Sequence, residues 1–256
     1  MEPAAGYPPD EHARRAASFG TVAPAYAEHR PTYPVAMVDW ALAPVRDAAD
    51  LAVLDLGAGT GKLTEVLAGM GLAVTAVEPD PAMLAQLRAR LPGVPALRGP
   101  AEEIPLPDDS VDAVLVGQAL HWFDLDRAMP EIHRVLRPGG VLVSAWNGYD
   151  DRVPWVARMS AGADSVTRSK NNEDRLLPVV QALGHCERGD FEHSMTRTVD
   201  TMVDTVATQS WLLTSTPEYR ADVLARVRAV LLADPATATG EFTVPLVVTA
   251  FRITFD

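Results

Sequence analysis

The run Val53-Leu54-Asp55-Leu56-Gly57-Ala58-Gly59-Thr60-Gly61-Lys62-Leu63 constrains the fold more than any other segment of the chain. An apolar stretch ends in an acid and breaks into glycines at alternate positions, and helical spacing resumes through Leu63, Val66 and Leu67. The pattern reads as a strand, a tight turn and a helix. The first N–H groups of such a helix lack intrahelical partners and point toward whatever the turn holds. Spacing excludes two common phosphate loops. A Walker loop needs Gly five positions before its Gly-Lys pair and Ser or Thr after it, where this chain has Leu56 and Leu63. The dinucleotide fingerprint needs a third Gly three residues after the second, but Gly61 follows Gly59 too soon.

Asp55 sharpens the reading. A carboxylate at the mouth of the turn repels a pyrophosphate and suits a ligand carrying an ammonium or sulfonium. A second apolar run, Leu72 to Val77, ends in Glu78. That is about twenty residues beyond the first glycine, where an acid can accept both ribose hydroxyls of a nucleoside. An ordinary βαβ unit with acids on its loops is the plainer alternative.

Further pieces follow in order: Gly99-Pro100-Ala101-Glu102-Glu103-Ile104-Pro105, Ser110-Val111-Asp112-Ala113-Val114 and Leu136-Arg137-Pro138-Gly139-Gly140. With the glycine turn as motif I, this set resembles the class I S-adenosylmethionine-dependent methyltransferases and their type 11 methyltransferase domain. The resemblance runs from about Phe19 to Trp146, and more weakly to the C-terminus. Phe19, Tyr26, Arg30-Pro31 and Tyr33-Pro34, with Gln118-Ala119-Leu120-His121-Trp122-Phe123, resemble a branch that includes uncharacterised actinobacterial enzymes and trans-aconitate methyltransferase-like proteins. The resemblance implies an α/β fold: a Rossmann-like, seven-stranded, mostly parallel sheet whose last strand is antiparallel, with helices on both faces and helical cap elements.

The chain has 256 residues and is 48% hydrophobic, enough for a sizeable core. A net charge of −12 argues against a nucleic-acid partner, because phosphates would be repelled. The single cysteine, Cys186, fits a reducing compartment, and with no apolar run of membrane-spanning length the expected location is the cytoplasm, without a membrane partner. Oligomeric state is not legible.

Residues 1–50, interrupted by Pro24, Pro31, Pro34 and Pro44, are expected to form an N-terminal helical flap. Residues 51–256 are expected to form the methyltransferase domain, with a cap insertion at about 199–233. Strands are expected at 52–56, 73–78, 94–98, 111–117, 140–146, 191–199 and 243–255. Helices are expected at 61–70, 80–91, 125–136, 173–184, 199–209 and 217–233, and a loop at 167–172. Arg137-Pro138-Gly139-Gly140 should stop the third helix.

The resemblance implies S-adenosylmethionine as cofactor, S-adenosylhomocysteine as product, and no metal. It places Gly57, Ala58, Gly59 and Gly61 as the close backbone and Asp55 near the amino end of the methionine part. Glu78 would take the ribose hydroxyls, with Pro79, Met83 and Ala101 beside the adenine. Glu102 either accepts from the adenine amine or serves as a helix-starting carboxylate. Gln118 and Ala119 leave the fourth strand at its carboxyl end, where open α/β sheets bind ligands. Arg30 either clamps the methionine carboxylate or an acidic acceptor, with Tyr26 as a hydrogen-bonding wall, or Phe19, Tyr26 and Tyr33 simply anchor the flap.

His121 is the candidate catalytic base, since neutral imidazole accepts a proton near pH 7. Alternatively, His121 and Trp122 only pack the pocket. The other histidines show no metal-ligand spacing, and no Gly-x-Ser-x-Gly elbow occurs. Trp122, Trp146, Trp155 and Trp211 are candidate walls for a small-molecule acceptor. The fourth strand lacks the Asn/Asp-Pro-Pro-aromatic turn of many amine and amide methyltransferases, which favours a carboxylate or hydroxyl oxygen. Carbon or amine methylation, and a cofactor-binding module without turnover, stay open.

Overall fold

The computed structural model describes residues 28–163 and 184–255. Tyr26 and the segments expected as a loop at 167–172 and a helix at 173–184 lie outside those residues, apart from Gly184.

Strand β1 (Ala52–Leu56) is buried at four of its five positions. Such continuous burial is expected of a parallel strand covered on both faces. Helix α1 (Val35–Leu42) precedes it, and α2 (Lys62–Gly69) follows the glycine turn. Strand β2 (Ala73–Glu78) leads to α3 (Pro81–Arg90). Asp80 starts α3 by accepting the Ala82 and Met83 amides at 2.8 and 2.9 Å, and Pro81 takes the first helical position. Next come β3 (Ala96–Arg98), β4 (Val111–Gly117), α4 (Leu125–Val135), β5 (Leu136–Tyr149) and α5 (Pro154–Gly162). The chain ends with β6 (His185–Arg197), α6 (Val199–Ala207), α7 (Ser210–Leu213), α8 (Pro217–Ala233) and β7 (Phe242–Thr254).

The sheet order is β3-β2-β1-β4-β5-β7-β6, with β7 antiparallel. Strand β1 pairs in parallel with β2 on one side and β4 on the other. Strand order therefore reverses between β1 and β4. In open α/β sheets that reversal leaves a crevice at the carboxyl ends of the strands.

Two expectations need correction. Helix α4 ends at Val135, just before Arg137-Pro138-Gly139-Gly140 as expected, but the strand expected from 140 already begins at Leu136, so that run belongs to β5. Val111 pairs with Leu136 and Ala113 with Val141, so the extra residues form an irregularity in the ladder. Gly139 takes a left-handed φ of 80° there. Strand β6 also begins earlier than 191, at His185. As the last strand of the sheet it alternates polar, exposed residues, which hides the apolar signature of a strand.

The described residues divide into two units. The sheet unit spans 32–147, 184–191 and 248–255. Its strands alternate between two cores, as period-two geometry requires. Leu54, Val114 and Leu142 pack with Ile132 and Val135 of α4. Val53, Leu115 and Val143 pack with Leu67 of α2 and with Met37, Val38 and Ala41 of α1. Part of the segment expected as a flap is thus core of the sheet unit. The helix-rich unit spans 28–31, 148–163 and 192–247. Its own core joins Trp155 and Met159 of α5, Met202 and Val206 of α6, Val227 of α8 and Phe242 of β7. Among the described residues no helix is long and apolar enough to cross a membrane.

Candidate functional site

The turn after β1 is braced before anything binds. The Gly57 and Ala58 amides both donate to Val77 O, at 2.9 and 3.1 Å. Gly57 has a φ of 72°, and a Cβ on it would stand 2.7 Å from Ala119 Cβ and 3.3 Å from the Phe123 ring. The turn therefore packs against the segment that follows β4. Gly59, with a φ of 58°, behaves differently: a Cβ there meets nothing within 4 Å. That open side lets a ligand reach bare backbone. Ala58 O accepts the Gly61 amide at 2.9 Å, and α2 starts at the next residue.

Glu78 ends β2 beside this turn. Its Oε2 accepts the Gly59 amide and its Oε1 accepts the Asp80 amide, both at 2.8 Å. Burial pushes its pKa up to about 7, against the lowering effect of those two amides. Asp55 is almost fully buried and accepts the Thr64 hydroxyl through Oδ2 at 2.5 Å. Burial raises its pKa to about 6, and the Thr64 contacts oppose the shift. Asp55 Oδ1 and Thr60 Oγ1 are buried without a hydrogen-bond partner among the described residues. Buried polar atoms are rarely left so. Together with the open side of Gly59 they fit a nucleoside ligand that brings its own donors, an ammonium and hydroxyls.

Beyond β2, Met83 is buried in the first turn of α3 and Pro79 is exposed. Ala101 is buried in the core shared with Leu56 and Val77. Glu102 accepts the Asp124 amide through Oε1 at 2.8 Å, one residue before α4. That contact ties the loop carrying Glu102 to the start of α4. The loop carrying these residues is held by Arg134, which donates to Ile104 O and Leu106 O at 2.9 and 2.8 Å. Glu131 fixes that guanidinium and accepts the Ile104 amide.

At the carboxyl end of β4, Gln118 is held at a φ of 58°, rare for a residue other than glycine. Its amide donates to Ala145 O at 2.8 Å, which fixes the kink. Backbone strain of this kind gathers at ligand sites. Ala119 is buried, and Leu120–Trp122 form a single 3-10 turn. The His121 and Trp122 rings stand 4.7 Å apart, and both are half-buried. Trp146, on β5, packs edge-on against Phe251 at 5.9 Å, and its buried Nε1 has no partner among the described residues.

Two neighbours of the site were not singled out as site residues. A Cβ on Gly117 would stand 2.6 Å from the Tyr33 hydroxyl, so that ring lies against the end of β4. Asn147 donates to Thr32 O at 3.0 Å and holds the segment carrying Tyr33. Pro31…Tyr33-Pro34 was legible, but the contact with Gly117 depends on tertiary packing. Phe123, the last residue of the Gln118–Phe123 motif, covers Gly57.

Arg30, Trp155 and Trp211 lie in the helix-rich unit. Arg30 donates to Thr208 O at 3.0 Å. Trp155 packs edge-on with Phe242 at 5.6 Å, and Trp211 donates to Gln209 Oε1 at 2.7 Å. Both indoles are part of that unit's core.

The type 11 methyltransferase family, described as a methyltransferase domain, matches residues 54–144. That span runs from β1 through most of β5. An uncharacterized methyltransferase of Mycobacterium tuberculosis is 44% identical over 238 residues, covering 93% of this chain and 95% of its own. A malonyl-[acyl-carrier protein] O-methyltransferase of Pectobacterium atrosepticum is 40% identical over 96 residues, 37% of this chain and 38% of its own. Among solved structures, a type II methyltransferase from Anaeromyxobacter dehalogenans superposes with a TM-score of 0.67 at 27% identity, covering 88% of this chain and 97% of its own. Braced glycine turn, paired buried acids and near full-length similarity agree: the chain belongs to the class I S-adenosylmethionine-dependent methyltransferases, with a type 11 methyltransferase domain.

Proposed function

We propose that the protein transfers the methyl group of S-adenosylmethionine to a carboxylate or hydroxyl oxygen of a small molecule. The observation that carries the oxygen preference is the turn after β4. Gln118-Ala119-Leu120-His121-Trp122 lies there against the glycine turn, and it offers an imidazole and an indole in place of the polar Pro-Pro turn used for amines and amides. The Pectobacterium relative, named as an O-methyltransferase, supports the same preference.

When bound, the cofactor supplies a methyl group already activated on a sulfonium sulfur. The protein's work is then alignment and exclusion of water. Glu78, once ionised, accepts the two ribose hydroxyls, and Asp55 Oδ1 receives the ammonium, through water or directly. Gly57, Ala58, Gly59 and Gly61 let the ligand approach the backbone. Pro79, Met83 and Ala101 flank the adenine, and Gln118 with Ala119 closes the side next to β4. Trp122 and Trp146 wall the acceptor. A carboxylate acceptor is ionised near neutral pH and needs no base, whereas a hydroxyl acceptor needs His121 to take its proton.

The test is methyl transfer from labelled cofactor across a panel of small carboxylic acids, alcohols, amines and carbon acids. Ester or ether products support the reading. Turnover confined to amines or carbon acids overturns the oxygen preference. Binding of S-adenosylhomocysteine without turnover on any class leaves a cofactor-binding module.

A further inference from the structure

The helix-rich unit contains a cationic cluster that the methyl-donor site does not use. Arg197 ends β6 and is half-buried. Its Nε donates to Thr205 Oγ1 at 2.9 Å, Nη1 to Thr196 O at 2.8 Å and Nη2 to His29 O at 2.6 Å. Every one of these acceptors is neutral. No carboxylate faces this guanidinium among the described residues, although the chain has an excess of acids. Taking a charge partly out of water without an opposite charge is costly.

The local helix does not offset that charge. Arg30 and Arg220 donate to Thr208 O and Ala207 O, the last carbonyls of α6, where cations complement the helix dipole. Arg197 immediately precedes Thr198, the residue that caps the opposite end. There the dipole is positive and adds to the cost. Tyr149 is a further polar group of the cluster. Burial raises the pKa of its phenol, while Arg30, Gln209 and Arg197 pull it down. Gln209 is oriented by the Trp211 indole, which donates to its Oε1 and leaves the amide NH2 for the phenol oxygen. A raised phenol stays protonated at neutral pH, so it is a donor and not the missing anion.

We propose that Arg197, with Arg30 and Tyr149 beside it, forms a binding site for the carboxylate of a small-molecule ligand within the helix-rich unit. The guanidinium keeps one unused N–H on each terminal nitrogen, and these two can meet both oxygens of a carboxylate. Tyr149 adds a hydroxyl donor. The assignment rests on the small-molecule reading above, and the carboxylate belongs to a ligand held within this unit.

The experiment is calorimetry on the full chain with succinate and citrate as probes and succinamide as the uncharged control, with and without saturating S-adenosylhomocysteine. Saturable binding of a carboxylate but not of succinamide is expected. Arg197→Gln should weaken it at least about tenfold, while leaving affinity for S-adenosylhomocysteine within about twofold. Should that variant fail to fold, Arg197→Lys keeps the charge without the fork, and Tyr149→Phe removes only the hydroxyl; each is expected to weaken the probe severalfold. No carboxylate binding to the wild type, or binding unchanged in the variants, overturns the site. Loss of affinity for S-adenosylhomocysteine alone in Arg197→Gln also overturns it. Failure of the methyltransferase reading shows separately, as wild-type protein that does not bind S-adenosylhomocysteine.

Discussion

Glu78 Oε2 accepts the Gly59 amide at 2.8 Å, so the acid at the end of β2 and the glycine turn after β1 form one rigid corner. The same carboxylate also receives the Asp80 amide, which ties it to the start of α3. Substitution of Glu78 therefore has a local and a ligand-directed effect. Glu78→Ala is expected to weaken S-adenosylhomocysteine binding by about ten- to a hundredfold, since hydrogen bonds to a charged group are worth about 1.5–3 kcal/mol each. Calorimetry measures it, and unchanged affinity would remove Glu78 from the ribose.

The pH dependence of stability follows from two raised pKa values. Asp55 and Glu78 ordinarily titrate at 3.8 and 4.5, and burial moves them to about 6 and about 7 in the folded chain. The folded state thus holds protons that the unfolded state has already released. Their stabilising contribution is complete below about pH 4 and is lost as pH rises through 6 to 7, by up to about 3 kcal/mol for each group. Ligand-free protein should melt at lower temperature at pH 8 than at pH 5.5. Glu78→Gln should flatten that slope, and saturating S-adenosylhomocysteine should reduce it. Fluorimetric melting curves across this range test the sign.

Gly117 is fixed by Tyr33. A Cβ there would stand 2.6 Å from the phenol oxygen and 3.0 Å from Cζ. Gly117→Ala is expected to destabilise by about 1–3 kcal/mol through overpacking. Adding Tyr33→Phe should recover part of the loss, because it removes the nearer atom. Urea unfolding of the single and double variants would show this, and strict additivity would mean that the two residues do not meet.

Trp155 is 8% exposed, and its indole packs edge-on against Phe242. Trp155→Ala is expected to cost about 3–5 kcal/mol, the usual range for emptying a core of an aromatic side chain. The loss should fall on the helix-rich unit. Hydrogen exchange should quicken in α5, α6 and α8 more than in β1 and β4. Exchange unchanged in those helices would contradict the core assignment.

Much of the sheet unit was legible because its elements carry their own signals. Strand β1 is apolar throughout save Asp55, its turn requires left-handed residues at Gly57, Gly59 and Gly61, and Asp80-Pro81 opens α3 by a local cap. The start of β5 at Leu136 was hidden, since Pro-Gly-Gly punctuates a helix end and a strand irregularity alike. The early start of β6 was hidden by polar residues on an outer strand. In the candidate site, the buried acids were visible in order along the chain. The approach of Tyr33 to Gly117 and of Phe123 to Gly57 was not, because residues far apart in sequence meet there only through packing. Arg197 carried no motif at all. Its interest comes from the absence of a facing carboxylate among the described residues, which is a property of three-dimensional surroundings.

The double attachment of Gly57 and Ala58 to Val77 O has a kinetic corollary. A loop already folded when the ligand arrives forgoes the ordering step that slows association in flexible glycine loops. Donor capture at this corner should then follow a single-exponential course whose rate rises linearly with ligand concentration, without the plateau that marks a conformational step. Any slow phase seen on mixing would have to originate in a part of the chain other than the turn that names its family.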